Sequence, residues 1–119
     1  MTYQDRVRAF YMEKRGSLPT FEAAADVDFE EATEVEDAVA AFVLSEHPDL
    51  VGHLAKELAD RMFTGYGLAL SLGIDLDKAF DLVCQSNMTK EPTPEGKVKK
   101  GAGYVEPDMR EALLGRPGK

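Results

Sequence analysis

The chain has 119 residues and a mass of 13.1 kDa. This is the size of one domain, so we expect a single domain over residues 1–119, with a helical core at about 3–90 and a tail at 91–119. Hydrophobic residues make up 44% and charged residues 30% of the chain, which excludes a disordered protein. No apolar run approaches the roughly 18–20 residues of a membrane span.

The net charge of −8 arises from one segment, because residues 22–49 carry ten acidic side chains and no Lys or Arg. Nucleic-acid binding is disfavoured, since phosphate contacts need basic side chains. The segment is therefore either a solvated acidic face or a site for cations. The single cysteine, Cys84, and the lack of an apolar stretch at the N-terminus favour a reducing, cytoplasmic location.

Apolar residues recur at helical spacing in four stretches, which predicts an all-α fold, a four-helix bundle with an irregular C-terminal tail. The first helix covers residues 3–14. The second begins at about Phe21 or Phe29 and ends at Ser45. Its apolar positions follow the i, i+3, i+4, i+7 pattern of a helix with one buried face.

The third helix is expected from about Leu50 to Leu72, with Asp49 as its N-cap. Its apolar stripe is expected to consist of leucines, at positions 50, 54, 58, 68 and 72. Asp75 is expected to cap a fourth helix that ends at 87–90.

From Glu91 on, glycine and proline break the periodicity. We expect no strand there, and a short last helix near Pro107–Leu114.

The second helix carries acidic residues on or beside its apolar face. On a helical wheel Glu31 lies only ~40° from Val35, inside that face, while Glu30 and Glu34 lie at its edge or just beyond. A buried carboxylate is costly unless it is paired, protonated or bound to a metal. This segment has no Lys or Arg to pair with it.

The third helix repeats the pattern, since Glu57 and Asp60 are three residues apart and project from one side. If the two helices pack antiparallel, five carboxylates converge. Hard divalent cations with oxygen ligands, Mg²⁺ or Mn²⁺, are the natural counter-charge. The alternative is an acidic helix face that is merely solvated. The predicted metal ligands are Glu30, Glu31, Glu34, Glu57 and Asp60.

These residues resemble the paired acidic motif of the all-α nucleoside triphosphate pyrophosphohydrolases. That superfamily includes the MazG proteins, the dimeric dUTPases and phosphoribosyl-ATP pyrophosphohydrolase. The resemblance covers roughly residues 29–109 and is to the MazG-like branch. It is carried by Glu30-Glu31-x-x-Glu34, Glu57-x-x-Asp60, Tyr66-Gly67, Gly73-Ile74-Asp75, Ser86-Asn87-Met88-Thr89-Lys90, Gly96-Lys97, Lys100, Gly103-Tyr104 and Pro107-Asp108.

The resemblance implies Mg²⁺-dependent hydrolysis of a nucleoside triphosphate between the α and β phosphates, giving a nucleoside monophosphate and pyrophosphate. It implies that Glu31 is the general base, or shares that role with metal binding. The apolar surroundings of Glu31 agree, because desolvation raises a carboxylate pKa. It further implies that five residues bind substrate: Asn87, Lys90, Lys97, Lys100 and Tyr104.

Two alternatives remain open. One is phosphoribosyl-ATP pyrophosphohydrolase, although the resemblance implies that this branch ends soon after its last helix, and the tail of this chain argues against it. The other is a non-catalytic acidic helical module.

Four short helices leave apolar surface around Phe63, Tyr66 and Leu70, so we expect at least a homodimer. His47 and His53 are expected at the surface or in structural roles. Cys84 is expected to be buried and not catalytic.

Overall fold

The computed structural model describes residues 1–113. The chain divides into two compact units, Met1–Leu72 and Gly73–Lys119. The described residues form four α-helices, a two-stranded hairpin and one 3₁₀ helix. Their bounds are α1 Tyr3–Arg15, α2 Phe21–Ser45, α3 Pro48–Ser71, α4 Leu76–Asn87, β1 Glu91–Pro92, β2 Val98–Lys99 and the 3₁₀ helix Met109–Ala112.

Side-chain capping fixes where the first two helices begin. Thr2 and Asp5 form a reciprocal capping box at the start of α1, and Gly16 ends that helix with a φ of 77°. The hydroxyl of Thr20 accepts a hydrogen bond from the backbone N–H of Ala23 at 3.2 Å, which starts α2 at the earlier of the two predicted positions.

The connection between α2 and α3 is only Glu46 and His47. His47 is the N-cap of α3, because its Nδ1 accepts from the backbone N–H of Asp49 at 3.1 Å. The prediction of Asp49 as the N-cap was wrong, since Pro48 fits the first helical turn and moves the start two residues earlier. This short connection folds α2 and α3 back on each other.

The two long helices pack antiparallel along their length. Asp28 near the start of α2 contacts Thr64 near the end of α3. One turn later on α2, Glu31 lies beside Asp60, which is one turn earlier on α3. The predicted antiparallel pairing is thereby confirmed, and it sets which acidic residues can meet.

Helix α1 covers the aromatic face of α3. The ring centroids of Phe10 and Phe63 are 5.0 Å apart, and those of Tyr3 and Tyr66 are 6.3 Å apart, both with edge-on geometry. Tyr66 is buried, as is Leu70. Of the three residues expected to leave apolar surface for a partner copy, Tyr66 and Leu70 are covered within the chain and Phe63 is half-buried. The homodimer itself stays a prediction.

The buried face of α3 differs from the predicted leucine stripe. Leu58 is 50% exposed and Leu72 is 37% exposed. Because α3 has neighbours on two sides, part of its buried face consists of small residues against which larger side chains pack. At Gly67, a Cβ would lie 2.8 Å from the hydroxyl of Tyr11 on α1. The buried residues of α3 are Glu57, Thr64, Tyr66, Gly67, Ala69 and Leu70.

In the second unit, Asp75 caps α4 as predicted, with its Oδ1 accepting from the backbone N–H of Lys78 at 3.0 Å. The hairpin after α4 was not predicted. Its antiparallel strands pair Glu91 with Lys99 and Pro92 with Val98. Strands of two residues are too short to show alternating hydrophobicity, which explains why the sequence pattern missed them.

The chain after the hairpin returns to α4. The hydroxyl of Ser86 donates to the carbonyl of Val105 at 2.6 Å, and the backbone N–H of Asp75 donates to the carbonyl of Ala112 at 2.7 Å. The predicted short helix near Pro107–Leu114 is the 3₁₀ helix at 109–112. Leu114 itself lies outside the described residues.

The predicted all-α fold with an irregular C-terminal tail is confirmed. The single domain over residues 1–119 stays a prediction. In the described part of the chain, no helix is both long and apolar enough to cross a bilayer.

Candidate active site

Three carboxylates from two helices meet at the α2–α3 interface. One oxygen each from Glu31, Glu57 and Asp60 lies within 4.8 Å of the other two. Glu57 is only 4% exposed, and the other two are half-buried. We call these three residues the carboxylate cluster. They meet because the three-residue spacing on α3 turns Glu57 and Asp60 to the side that α2 covers.

Two oxygens of the carboxylate cluster are buried without a hydrogen-bond partner among the described residues, Oε2 of Glu31 and Oε2 of Glu57. A buried acceptor without a donor costs about 1–3 kcal/mol, and more when it is charged. The carboxylates of Glu31 and Glu57, with oxygens within 4.8 Å of each other, add mutual repulsion to that cost. A cation bound between them would relieve both, so the donor set fits a hard divalent metal ion.

Glu34 lies on the exposed side of the carboxylate cluster. Hydrogen bonding to Glu57 and repulsion from the charges of Glu31 and Glu57 raise the pKa of the Glu34 carboxyl to about 7. Crowded carboxylates ionise less readily than isolated ones, so the Glu34 carboxyl keeps its proton to a higher pH than an isolated glutamate does. The structure thus brings four of the five predicted metal ligands together.

Glu30 is the fifth predicted ligand. It is exposed on α2 and is not a member of the carboxylate cluster. Its role as a metal ligand stays a prediction.

A lysine partner for the carboxylate cluster was missed by the sequence analysis. Nζ of Lys56 lies 2.6 Å from Oδ2 of Asp60 and 3.4 Å from Oε1 of Glu57. The i, i+4 spacing of Lys56 and Asp60 could have revealed the first contact. Because 68% of the Lys56 side chain is exposed, this ion pair is well screened and contributes little. It leaves the two buried Oε2 atoms without a partner in the part of the chain that the structure describes.

A second buried acid lies one helical turn from the carboxylate cluster. Asp28 accepts hydrogen bonds through Oδ1 from Nε of Arg61 at 3.2 Å and from the hydroxyl of Thr64 at 2.9 Å. We call these three residues the Asp28 triad. No sequence motif indicates this triad, although the antiparallel register places position 28 opposite positions 61 and 64.

The predicted substrate-binding residues all lie in the second unit. Asn87 is the exposed last residue of α4, and Lys90 after it is half-buried. Lys97 and Lys100 are exposed on either side of β2. Nζ of Lys100 lies 5.0 Å from the ring centroid of Tyr104 and 3.5 Å from Oε1 of Glu106. Their roles in substrate binding stay predictions.

Tyr104 is half-buried against α4, where its hydroxyl forms a hydrogen bond of 3.2 Å with the hydroxyl of Ser86. This contact attaches the tail to α4, so the ring has a structural role whether or not it also stacks on a nucleotide. Both histidines are exposed, as expected. Cys84 is exposed, so the prediction of a buried thiol was wrong.

Comparison with known proteins identifies a family for this chain. The family model for phosphoribosyl-ATP pyrophosphohydrolase matches residues 3–87, well over half of the chain. The matched segment contains every residue of the carboxylate cluster and of the Asp28 triad. A comparison with curated proteins finds no match. The chain belongs to the phosphoribosyl-ATP pyrophosphohydrolase family, within the all-α nucleoside triphosphate pyrophosphohydrolase superfamily, whose members are nucleotide pyrophosphohydrolases that cleave phosphoric anhydride bonds.

Proposed function

We propose that the protein is a Mg²⁺-dependent pyrophosphohydrolase of nucleoside or deoxynucleoside triphosphates, yielding the monophosphate and pyrophosphate. The observation that carries the proposal is a pair of buried carboxylate oxygens, on Glu31 and Glu57, that have no partner among residues 1–113 and lie inside a three-carboxylate cluster. A protein of net charge −8 can hold a polyphosphate only where cations mask its own acids.

The carboxylate cluster and Glu34 are the residues that would hold Mg²⁺, with Mn²⁺ as a possible substitute, and Glu30 is a further candidate. A bound divalent ion polarises the phosphoryl group and neutralises phosphate charge. The protein side contributes a half-buried set of oxygens fixed on two rigid helices, so the ligands need little reordering when the cation binds.

Glu31 is the proposed general base. Its buried Oε2 has no donor among the described residues, so it can accept a proton from water. As water attacks the α-phosphorus, its proton passes to Glu31, the bond from the α-phosphorus to the bridging oxygen breaks, and pyrophosphate leaves with that oxygen. Positioned general bases typically contribute 10²–10⁴-fold to a rate.

The predicted substrate-binding residues are proposed to contact the substrate individually. Lys90, Lys97 and Lys100 offer ammonium groups for phosphate oxygens, Asn87 offers an amide, and Tyr104 offers a ring for the base or ribose. The cation–π contact between Lys100 and Tyr104 supports a shared role for these two residues.

Phosphoribosyl-ATP is the second candidate substrate, and the family match favours it. The match ends at residue 87, where α4 ends. The hairpin and the returning tail follow outside the matched segment, and this addition supports the triphosphate reading. Both substrates contain the same α–β anhydride bond, so the same carboxylate cluster would serve either reaction.

Pyrophosphate release from a panel of ribo- and deoxynucleoside triphosphates and from phosphoribosyl-ATP tests the proposal, with Mg²⁺, with Mn²⁺ and with a chelator. We expect metal-dependent pyrophosphate release from one substrate class. If no member of the panel is hydrolysed while Mg²⁺ leaves the melting temperature unchanged, the non-catalytic acidic module is correct.

The proposed role of Glu30 as a metal ligand is tested separately, with Glu36 as the control. Glu36 is another exposed glutamate on α2. If Glu30 is a ligand, Glu30→Gln weakens Mg²⁺ binding measured by calorimetry, whereas Glu36→Gln does not. Equal Mg²⁺ affinity in the two variants would remove Glu30 from the ligand set.

We also propose that the enzyme is a homodimer working in the cytoplasm. Val43 is 69% exposed, Leu44 88% and Val51 53%, at the end of the helix pair where α2 turns into α3, and a second copy could cover them. The exposed thiol of Cys84 suits a reducing compartment. Sedimentation at micromolar concentration checks the assembly, and a 13.1 kDa species would contradict it.

A further inference from the structure

We propose that Arg61, anchored by Asp28, is a phosphate-binding residue that holds the substrate beside the carboxylate cluster. The inference rests on the proposed function, because it takes the ligand to be a polyphosphate. It concerns a side chain that the acidic motifs do not include.

The charge distribution leaves few cations that could meet phosphate at this interface. Helix α2 carries no Lys or Arg, and α3 carries only Lys56 and Arg61. Lys56 is engaged with Asp60 and Glu57 through its single ammonium group. Arg61 is the remaining permanent positive charge on the two helices that build the carboxylate cluster.

The hydrogen bonding of Arg61 orients its guanidinium. Its contact with Asp28 is made through Nε, the nitrogen nearest the backbone. The N–H donors of the two terminal nitrogens lie beyond this bond, and 47% of the side chain is exposed. An arginine held at Nε and open at its tip presents the forked donor pair that matches two phosphate oxygens.

The position of Arg61 is fixed by the helix register. Its partner Asp28 precedes Glu31 by three residues, a rise of ~4.5 Å along α2. Asp28 and Glu31 therefore lie on the same side of α2, one turn apart, both facing α3. A polyphosphate has several phosphoryl groups in a row. When one of them is held at the carboxylate cluster, the next can reach one helical turn further, to Arg61.

Asp28 and Thr64 act as positioning residues for this guanidinium. The Asp28 side chain is only 13% exposed, and Thr64 donates to the same Oδ1 atom that Arg61 uses. Two donors on one oxygen fix the carboxylate, which in turn fixes the arginine. If Asp28 no longer accepted the hydrogen bond from Arg61, the guanidinium would lose the contact that orients it.

The test measures the affinity of the full-length protein for pyrophosphate in the presence of Mg²⁺, by calorimetry well below the melting temperature. Arg61→Met should weaken pyrophosphate binding by about 10- to 100-fold, the usual effect of losing hydrogen bonds to a charged group. Arg61→Lys keeps a point charge without the fork and should fall between Arg61→Met and wild type. Asp28→Asn should weaken binding several-fold through loss of positioning.

Arg15→Met is the matched control, because it removes one exposed positive charge from α1 in the same unit. It should bind pyrophosphate as wild type does. Mg²⁺ binding without pyrophosphate separates contact from structure. Arg61→Met should bind Mg²⁺ at least as tightly as wild type, whereas a variant that merely distorts the carboxylate cluster would bind Mg²⁺ more weakly.

Three results would overturn the inference: wild-type protein that binds no pyrophosphate with Mg²⁺, Arg61→Met with wild-type pyrophosphate affinity, or an equal loss in Arg15→Met. The proposed function is tested independently, by measuring pyrophosphate release by the wild-type protein. Hydrolysis with no effect of Arg61 on pyrophosphate affinity or on KM refutes this inference alone. Pyrophosphate binding through Arg61 with no hydrolysis refutes the proposed function alone.

Discussion

The carboxylate cluster and the Asp28 triad lie one helical turn apart on the same interface, yet they treat buried acids in opposite ways. In the Asp28 triad, one carboxylate oxygen receives a hydroxyl and a guanidinium. In the carboxylate cluster, Glu31 and Glu57 each keep a buried oxygen with no partner among the described residues.

The difference teaches that burial alone does not identify a functional acid. Asp28 is buried and compensated by its own protein, so it stabilises the helix pair and orients Arg61. The carboxylate cluster is buried and left with excess negative charge, which folding alone would disfavour. Such uncompensated charge is expected where a ligand completes the site, at the expense of stability.

The largest effect is expected from neutralising the base in the carboxylate cluster. Glu31→Gln should lower kcat/KM about 100-fold or more, because the proposed proton acceptor is lost. The melting temperature of the metal-free variant should rise, because repulsion with Glu57 is relieved. Pyrophosphate release and thermal melting in chelator measure the two effects. Glu36→Gln, on the exposed face of α2, is the control and should change neither.

A loss of metal-free stability in Glu31→Gln would break the comparison, since it would mean that this carboxylate is compensated as Asp28 is.

The Asp28 triad should respond to charge removal in the opposite sense. Arg61→Met leaves the buried Asp28 carboxylate with Thr64 as its only hydrogen-bond donor, and should lower the free energy of unfolding by about 2–3 kcal/mol. Asp28→Asn leaves only the half-exposed Arg61 without its acid and should cost about 1 kcal/mol. Urea unfolding of both variants measures the difference. A larger loss of unfolding free energy in Asp28→Asn than in Arg61→Met would show that burial penalises the charge of Arg61 more than that of Asp28.

Gly67→Ala should perturb the packing of α1 while leaving both acidic regions in place. The added Cβ would lie 2.8 Å from the hydroxyl and 3.3 Å from a ring carbon of the buried Tyr11. We expect a loss of about 1–2 kcal/mol of stability with the Mg²⁺-induced rise in melting temperature retained. Loss of the Mg²⁺ response would show that α1 also shapes the carboxylate cluster. Gly65→Ala is the control, because nothing lies within 4 Å of a Cβ there.

A smaller effect is expected from pH, because Glu34 is exposed and screened by solvent. The folded-state pKa of Glu34 is raised from 4.5 to about 7, so its proton stabilises the folded state fully below pH 4.5. That stabilisation is lost as pH rises through about 7. As the pH rises from 4.5 to about 7, the melting temperature of the metal-free wild type should fall relative to that of Glu34→Gln.

Saturating Mg²⁺ should remove this pH-dependent difference, because the cation replaces the proton as counter-charge. A difference between wild type and Glu34→Gln that does not change with pH would place Glu34 outside the crowded site.

Local sequence patterns predicted the helices well because their signals are local. Asp75 caps α4, and Thr20 starts α2 at one of the two predicted positions. The acidic spacings on α2 and α3 pointed to the carboxylate cluster for the same reason, since an i, i+3 pair shares a helix side wherever the helix lies. The two-residue strands escaped prediction because they present too few residues for any periodicity.

The tertiary structure alone decided which acids are compensated. Asp28 and Glu31 look alike in the sequence, two acids one turn apart on one helix. Their difference depends on which α3 side chains lie opposite: Arg61 and Thr64 face Asp28, while Glu57 and Asp60 face Glu31. Likewise, leucine at 58 is exposed and glycine at 67 is buried, because the neighbours of α3 set its buried face. Composition and spacing determined which helices this chain forms and which acidic residues share a helix side. The pairing of distant residues determined where uncompensated negative charge is left for a cation.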